Sequence, residues 1–139
     1  MNIREFQEHD TEAVVALWET CGLTRPWNDP RKDIARKLLV QPELFLVLEE
    51  EGRVAGTAMV GYDGHRGSVY YLAVDPALWG RGFGRLLMAE AERLLIDIGC
   101  PKINLQVRAG NEAVIGFYAG LGYAEDAVAN LGKRLIPDE

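Results

Sequence analysis

The 139-residue chain is poor in the features that mark disulfide, membrane and nucleic-acid proteins. It has two cysteines, Cys21 and Cys100, far apart and without metal-ligand spacing, so buried free thiols are expected rather than a disulfide framework or a metal site. No run of Lys or Arg exceeds two residues and the net charge is −6, which leaves no basic face for nucleic acid. No apolar run reaches the ~18 residues of a membrane span. The opening Met1-Asn2-Ile3-Arg4-Glu5-Phe6 lacks the charged-then-apolar pattern of a secretory signal, so the cytoplasm is the expected compartment. There is no internal repeat and no low-complexity segment. The length suits one domain over residues 1–139 and is short for two. Neither nucleic acid nor membrane is expected as a partner, and the protein is expected to be a monomer or a homodimer. An anionic ligand would meet a repulsive average field, so any phosphate site must be local, built from backbone amides and a few arginines.

What is present is a regular alternation of patterns. Ile3 and Phe6 suit a first strand, and Asp10 reads as a helix cap ahead of Val14, Leu17, Trp18 and Cys21 at helical spacing. Asp29-Pro30 starts a second helix through Ile34, Leu38 and Leu39, ended before Pro42. Residues 44–49, 53–62 and 68–74 read as an antiparallel meander. Phe83, Leu86, Leu87, Ala91, Leu94, Leu95 and Ile98 then carry a 3.6-residue stripe closed by Gly99. Ile103, Leu105 and Val107 alternate with Asn104 and Gln106 as a half-buried strand, which makes strand, helix, strand a parallel crossover. A short helix over 113–121 follows, with Asn111 as its cap, and residues from Tyr123 through 129–136 are expected to form a terminal hairpin. The fold class is α/β with a mixed sheet.

The chemistry concentrates at Gly80-Arg81-Gly82-Phe83-Gly84-Arg85, between a strand ending at Val74 and the amphipathic helix. Alternating glycines permit positive φ and clear side chains from the loop surface. Successive amides can then face one anion, with the helix start adding partial positive charge. A P-loop would need Gly-Lys-Ser/Thr at its end, and a dinucleotide fingerprint a third glycine at position 85; Arg85 stands there in both cases.

Residues 72–76, Leu-Ala-Val-Asp-Pro, followed by this loop resemble motif A of the GNAT acetyltransferases. Asn111, Tyr118 seven residues later and Gly122-Tyr123 resemble motif B. The likeness spans nearly the whole chain and leans to the bacterial YpeA-type acetyltransferases. It implies a mixed, mostly antiparallel sheet with a central parallel strand pair and about four helices. It also implies acetyl-CoA as the acetyl donor, without a metal. Leu72, Ala73 and Val74 would pair with the pantetheine arm, and Trp79, Gly80, Arg81, Gly82, Phe83, Gly84 and Arg85 would hold the pyrophosphate. Trp79 stands where the family usually has Gln or Arg, and Val114 where it often has Ala. Asn111 would cap its helix, contact the cofactor, or both.

Acetyl transfer needs a neutral amine, and a lysine-like amine of pKa ~10.4 is neutral in only about 1 part in 2,500 at pH 7. A base or a pKa-lowering site is therefore required, with an acid for the leaving thiolate. Tyr118 occupies the family's acid position and would be catalytic. For the base, Gln106 stands where ribosomal-protein N-terminal alanine acetyltransferases carry Glu, and Ser68 is no better. Tyr70, Tyr71 and Asp63 remain, of which only one of the two adjacent tyrosines can face the cleft. Trp27 is expected to touch the acceptor substrate, with Trp18 in the core. His9 and His65 are expected to be exposed, and residues 49–51, three glutamates, a solvated turn. The expected function is acetyl-CoA-dependent N-acetylation of a primary amine on a small molecule or peptide. The alternatives are a non-catalytic coenzyme A-binding sensor, or a protein N-terminus as acceptor.

Overall fold

The computed structural model describes residues 1–138. Short, β-branched and aromatic-rich segments form one five-stranded sheet in the order β1 (Asn2–Glu5), β2 (Phe45–Glu50), β3 (Arg53–Tyr62), β4 (Gly67–Val74) and β5 (Ile103–Asn104). The first three pairings are antiparallel and β4 pairs with β5 in parallel, so the mixed sheet expected from the strand–helix–strand pattern is present. Helices α1 (Thr11–Thr20) and α2 (Pro30–Lys37) cover one face, α3 (Phe83–Asp97) covers the other, and α4 (Glu112–Gly120) packs beside α3.

Each face has its own core. On the α1/α2 face, Phe6, Val14, Trp18, Phe45, Val47 and Ala73 are buried together. The indole of Trp18 is fully enclosed, as its place in the helical stripe predicts, and donates to Thr57 Oγ1 at 2.9 Å. On the α3 face, Leu46, Leu48, Val60, Val69, Leu87, Met88 and Leu95 form the second core. Burial of this kind stabilises by roughly 25 cal/mol per Å² of apolar surface.

Strand β4 carries the feature that positions the site. Thr57 pairs with Ala73 but Met59 pairs with Tyr70, so Tyr71 and Leu72 stand opposite Ala58 alone. This is a β-bulge, and Tyr71 adopts φ 52° within it. Val69 packs on the α3 face, whereas Tyr71 and Ala73 pack on the α1/α2 face.

Three expectations are corrected. Asp10 stands at the α1 cap position without capping it, because its buried carboxylate accepts from the Arg4 guanidinium at 2.8 and 2.9 Å and from the Gln7 amide. Strand β5 ends at Asn104, although Leu105 continues inward to the α3 core. The terminal hairpin does not form. Residues 124–138 contain no strand, and Leu131 and Leu135 remain exposed, so pairing there would bury no apolar face. The tail is held instead by side chains, Lys102 to Asp126 at 3.0 Å and Gln106 to Asn130 at 2.9 Å.

Candidate active site

The strand-to-helix turn after β4 begins with Asp75, whose carboxylate caps a short 3₁₀ turn through the Ala77 amide at 3.0 Å. Gly80 and Gly82 take φ of 85° and 80°, values that side chains rarely adopt. Gly84 is different. It lies in α3, and a Cβ there would come within 3.2 Å of Phe117 Cζ, so it is small to let α4 approach. The outcome for the backbone is uniform: the N–H groups of residues 80–85 have no acceptor among the described residues, and Leu86 is the first to bond back, to Gly82 O at 3.1 Å. A row of free amides at the start of a 15-residue helix is an anion-binding surface.

The side chains of the turn divide. Arg85 is exposed and has no ion pair among the described residues. Arg81 lies over the Phe83 ring at 5.0 Å and 3.9 Å from the Glu50 carboxylate, so the 49–51 acidic run is more than a solvated turn: Glu49 pairs with Arg4 and Glu50 faces Arg81. Phe83 is buried in the α3 core. The exposed Trp79 indole folds back and donates to Val74 O at 2.8 Å, and Cys21 Sγ approaches the same carbonyl at 3.4 Å. Leu72 and Val74 face the α3 core while Ala73 faces α1.

Tyr118 lies on the same side as this turn. Its neighbour Phe117 touches Gly84, and its ring meets those of Phe117 and Tyr123 edge-on at 5.1 and 5.6 Å. Burial, with no charged partner, pushes its hydroxyl up to about 12. Asn111 caps α4 through a long 3.4 Å bond to the Val114 amide and is otherwise exposed.

Across the sheet, the candidates separate. Tyr70 is half-exposed, and Asp63 accepts the His65 and Arg66 amides at 2.8 Å, which makes it a turn-former held below the usual carboxylate range. His65 and His9 are exposed as expected. Tyr71 stacks on Trp18 with ring centroids 3.7 Å apart. Its hydroxyl donates to Asp33 Oδ2 at 2.7 Å and accepts from Asn28 Nδ2 at 3.1 Å. Burial and the Asp33 carboxylate both raise the phenol far above its ordinary value. Asp33 and Asn28 carry no sequence signal of their own beyond their place near Trp27, the expected acceptor contact, with Asp33 in the first turn of a capped helix. Trp27 is 58% exposed and lines a groove of ≈ 750 Å³ with Gln106 and residues 132–136. Among the described residues, no cluster of His, Cys, Asp or Glu is placed to hold a metal, and no helix is long and apolar enough to cross a membrane.

The chain is similar to known proteins in sequence and in fold. Residues 4–123 match the acetyltransferase (GNAT) family. An acetyltransferase of Yersinia enterocolitica is 55% identical over 139 residues, covering 100% of this chain and 99% of that one. Among solved structures, a ribosomal-protein-alanine N-acetyltransferase from Brucella melitensis superposes with a TM-score of 0.72 at 26% identity, over 88% of this chain and 83% of that chain. AAC(6')-Iy, solved with the bisubstrate analogue CoA-S-monomethyl-acetylneamine, shares the fold with a TM-score of 0.78 at 18% identity, over 96% of this chain and 98% of that one.

Proposed function

Because the chain belongs to the acetyltransferase (GNAT) family, we propose that it moves an acetyl group from acetyl-CoA directly to the primary amine of a small molecule or peptide. One observation carries the reading: the consecutive unbonded N–H groups of residues 80–85 at the start of α3. They fit a pyrophosphate, as does the exposed Arg85, and the family uses acetyl-CoA. The α3-side end of β4, at Leu72, Ala73 and Val74, would run beside the pantetheine arm, with Asn111 at its edge. Acetyl-CoA supplies the activated acetyl thioester.

The chain's own groups then have two tasks. Tyr118 would donate a hydrogen bond to the sulfur as charge develops there. Its pKa of about 12 lies ~3.5 units above a thiol of ~8.5, so full proton transfer would cost about 5 kcal/mol, and donation without transfer is favoured. On the other face, Asp33 would take the proton of the acceptor ammonium through the Tyr71 hydroxyl, since its carboxylate already accepts the hydrogen bond of this residue of the β4 bulge. Trp27 and the exposed Tyr70 would flank the acceptor. The reaction would be cytoplasmic, which the two unpaired cysteines support.

A second reading, a coenzyme A-binding sensor, is favoured by Gln106, an amide that cannot act as a base and is spent on Asn130. Acetyl-CoA titration and coenzyme A release with a panel of amines and peptides test both. Binding with amine-dependent release supports the transferase, binding without release supports the sensor, and absence of binding removes both.

A further inference from the structure

Charge is unevenly placed on this acidic chain. The groove beside Trp27 is lined by Arg36, Lys133 and Arg134, and no carboxylate lines it. The acids that accompany it lie beneath. Asp138 has a fully covered side chain and ties the tail down: Oδ2 accepts the Asp29 amide at 2.8 Å, and Oδ1 lies 2.5 Å from Arg36 Nη2 and 3.7 Å from Arg134 Nη1. Those partners hold the Asp138 carboxyl down at about 2, so it stays charged at any working pH. Arg36 also donates to Asp33 Oδ1 at 3.2 Å, and Arg134 to Asn28 Oδ1 at 3.1 Å. Three cations therefore meet two carboxylates, and the surplus charge falls on Lys133, which has no ion pair among the described residues.

The groove adjoins the acceptor side. Asp33 and Asn28, which hold the Tyr71 hydroxyl, are the same residues that fix Arg36 and Arg134. Gln106, one wall of the groove, lies two residues beyond the end of β5, which pairs with β4. An acceptor whose amine points at Tyr71 and Asp33 would extend its remainder over Trp27 toward the guanidinium and ammonium groups. A cationic remainder would be repelled there, and an anionic one attracted.

We infer that the acceptor carries an anionic oxygen group, a carboxylate or phosphate, a few bonds from its amine, and that Lys133 and Arg134 of the tail bind it. This rests on the acetyltransferase reading but is separable from it. The test is calorimetric titration of the full chain, alone and saturated with coenzyme A, using matched pairs: lysine against cadaverine, phenylalanine against phenethylamine, and phosphoethanolamine against ethanolamine. Coenzyme A release is measured with the same pairs. The anionic member of at least one pair should bind at least about tenfold more tightly, the size of one charge-assisted hydrogen bond. Lys133→Ala and Arg134→Ala should each remove most of that preference, while Arg134→Lys keeps part of it. The carboxylate pairs against the phosphate pair decide which group is meant. Equal or weaker binding of all anionic members, or a preference unchanged in both alanine variants, overturns the inference, whatever the turnover. Conversely, a preference for the anionic members without coenzyme A release would keep Lys133 and Arg134 as an anion-binding site and remove the transferase reading.

Discussion

The turn at residues 80–85 and the groove beside Trp27 are made of different material. The turn offers backbone N–H groups from one short stretch, with Phe83 packed into the core and Arg85 exposed beside them. The groove is made of side chains brought together over long distances: Arg134 reaches Asn28, and Asp138 reaches the Asp29 amide. On the proposed function, the backbone site would recognise the pyrophosphate of the donor and tolerate most side-chain changes. A side-chain site can change its preference by one substitution. On that reading, the division would match a constant donor, held by backbone, and an acceptor chosen by side chains.

The largest effect should come from breaking the backbone half. Gly82→Val forces a β-branched residue into φ 80°, and Gly84→Leu drives into Phe117. Each should weaken acetyl-CoA binding at least about 100-fold, the loss of two or so charge-assisted bonds, while circular dichroism shows a folded domain. If acetyl-CoA still protects either variant from heat as well as it protects the parent, the pyrophosphate assignment is wrong.

Next is Tyr118→Phe, which should cut turnover at least about tenfold and leave acetyl-CoA affinity within a few fold, since the hydroxyl acts on developing charge only. With the hydroxyl pushed up to about 12, the parent's rate should show no fall assignable to this group as pH rises from 7 to 10. The sign follows from burial favouring the neutral, donating form. Unchanged turnover in the variant removes Tyr118 from the mechanism.

Asp33→Asn tests the other half. About a tenfold loss of kcat/KM is expected near neutral pH, shrinking as pH approaches ~10.4, where the amine loses its proton unaided. A loss that is the same at every pH would make Asp33 a structural support for Tyr71 and Arg36. The smallest effect is expected from Trp79→Phe. Its indole is bonded to the chain's own Val74 carbonyl, so loss of one exposed hydrogen bond should change acetyl-CoA affinity by no more than about threefold.

How far the sequence could be read follows the same division. Helices α1 to α4, the meander and the parallel crossover were legible because caps, glycines and hydrophobic periods are local signals. The amide row was legible because Gly80 and Gly82 stand next to a helix whose stripe announces itself. Asp33, Asn28 and Asp138 were not, since their roles exist only once α2, the β4 bulge and the tail meet. The terminal hairpin was misread because the apolar residues of 129–136, such as Leu131 and Leu135, have no opposing surface to bury them. The adjacent tyrosines show the same limit, as strict alternation gave the rule but not which of Tyr70 and Tyr71 would turn inward.

The β4 bulge behaves like a change of reading frame. Upstream of it, odd-numbered Val69 faces α3; downstream, odd-numbered Tyr71 and Ala73 face α1. Removing a single residue at position 70 would therefore merge the two frames into one regularly alternating strand, with Val69 still facing α3 and Tyr71 and Ala73 still facing α1. Tyr71 would keep its face but lose the bulge and the φ of 52° with which it now meets Trp18 and Asp33. In this part of the chain, length is as much a determinant of the acceptor side as the identity of any one side chain.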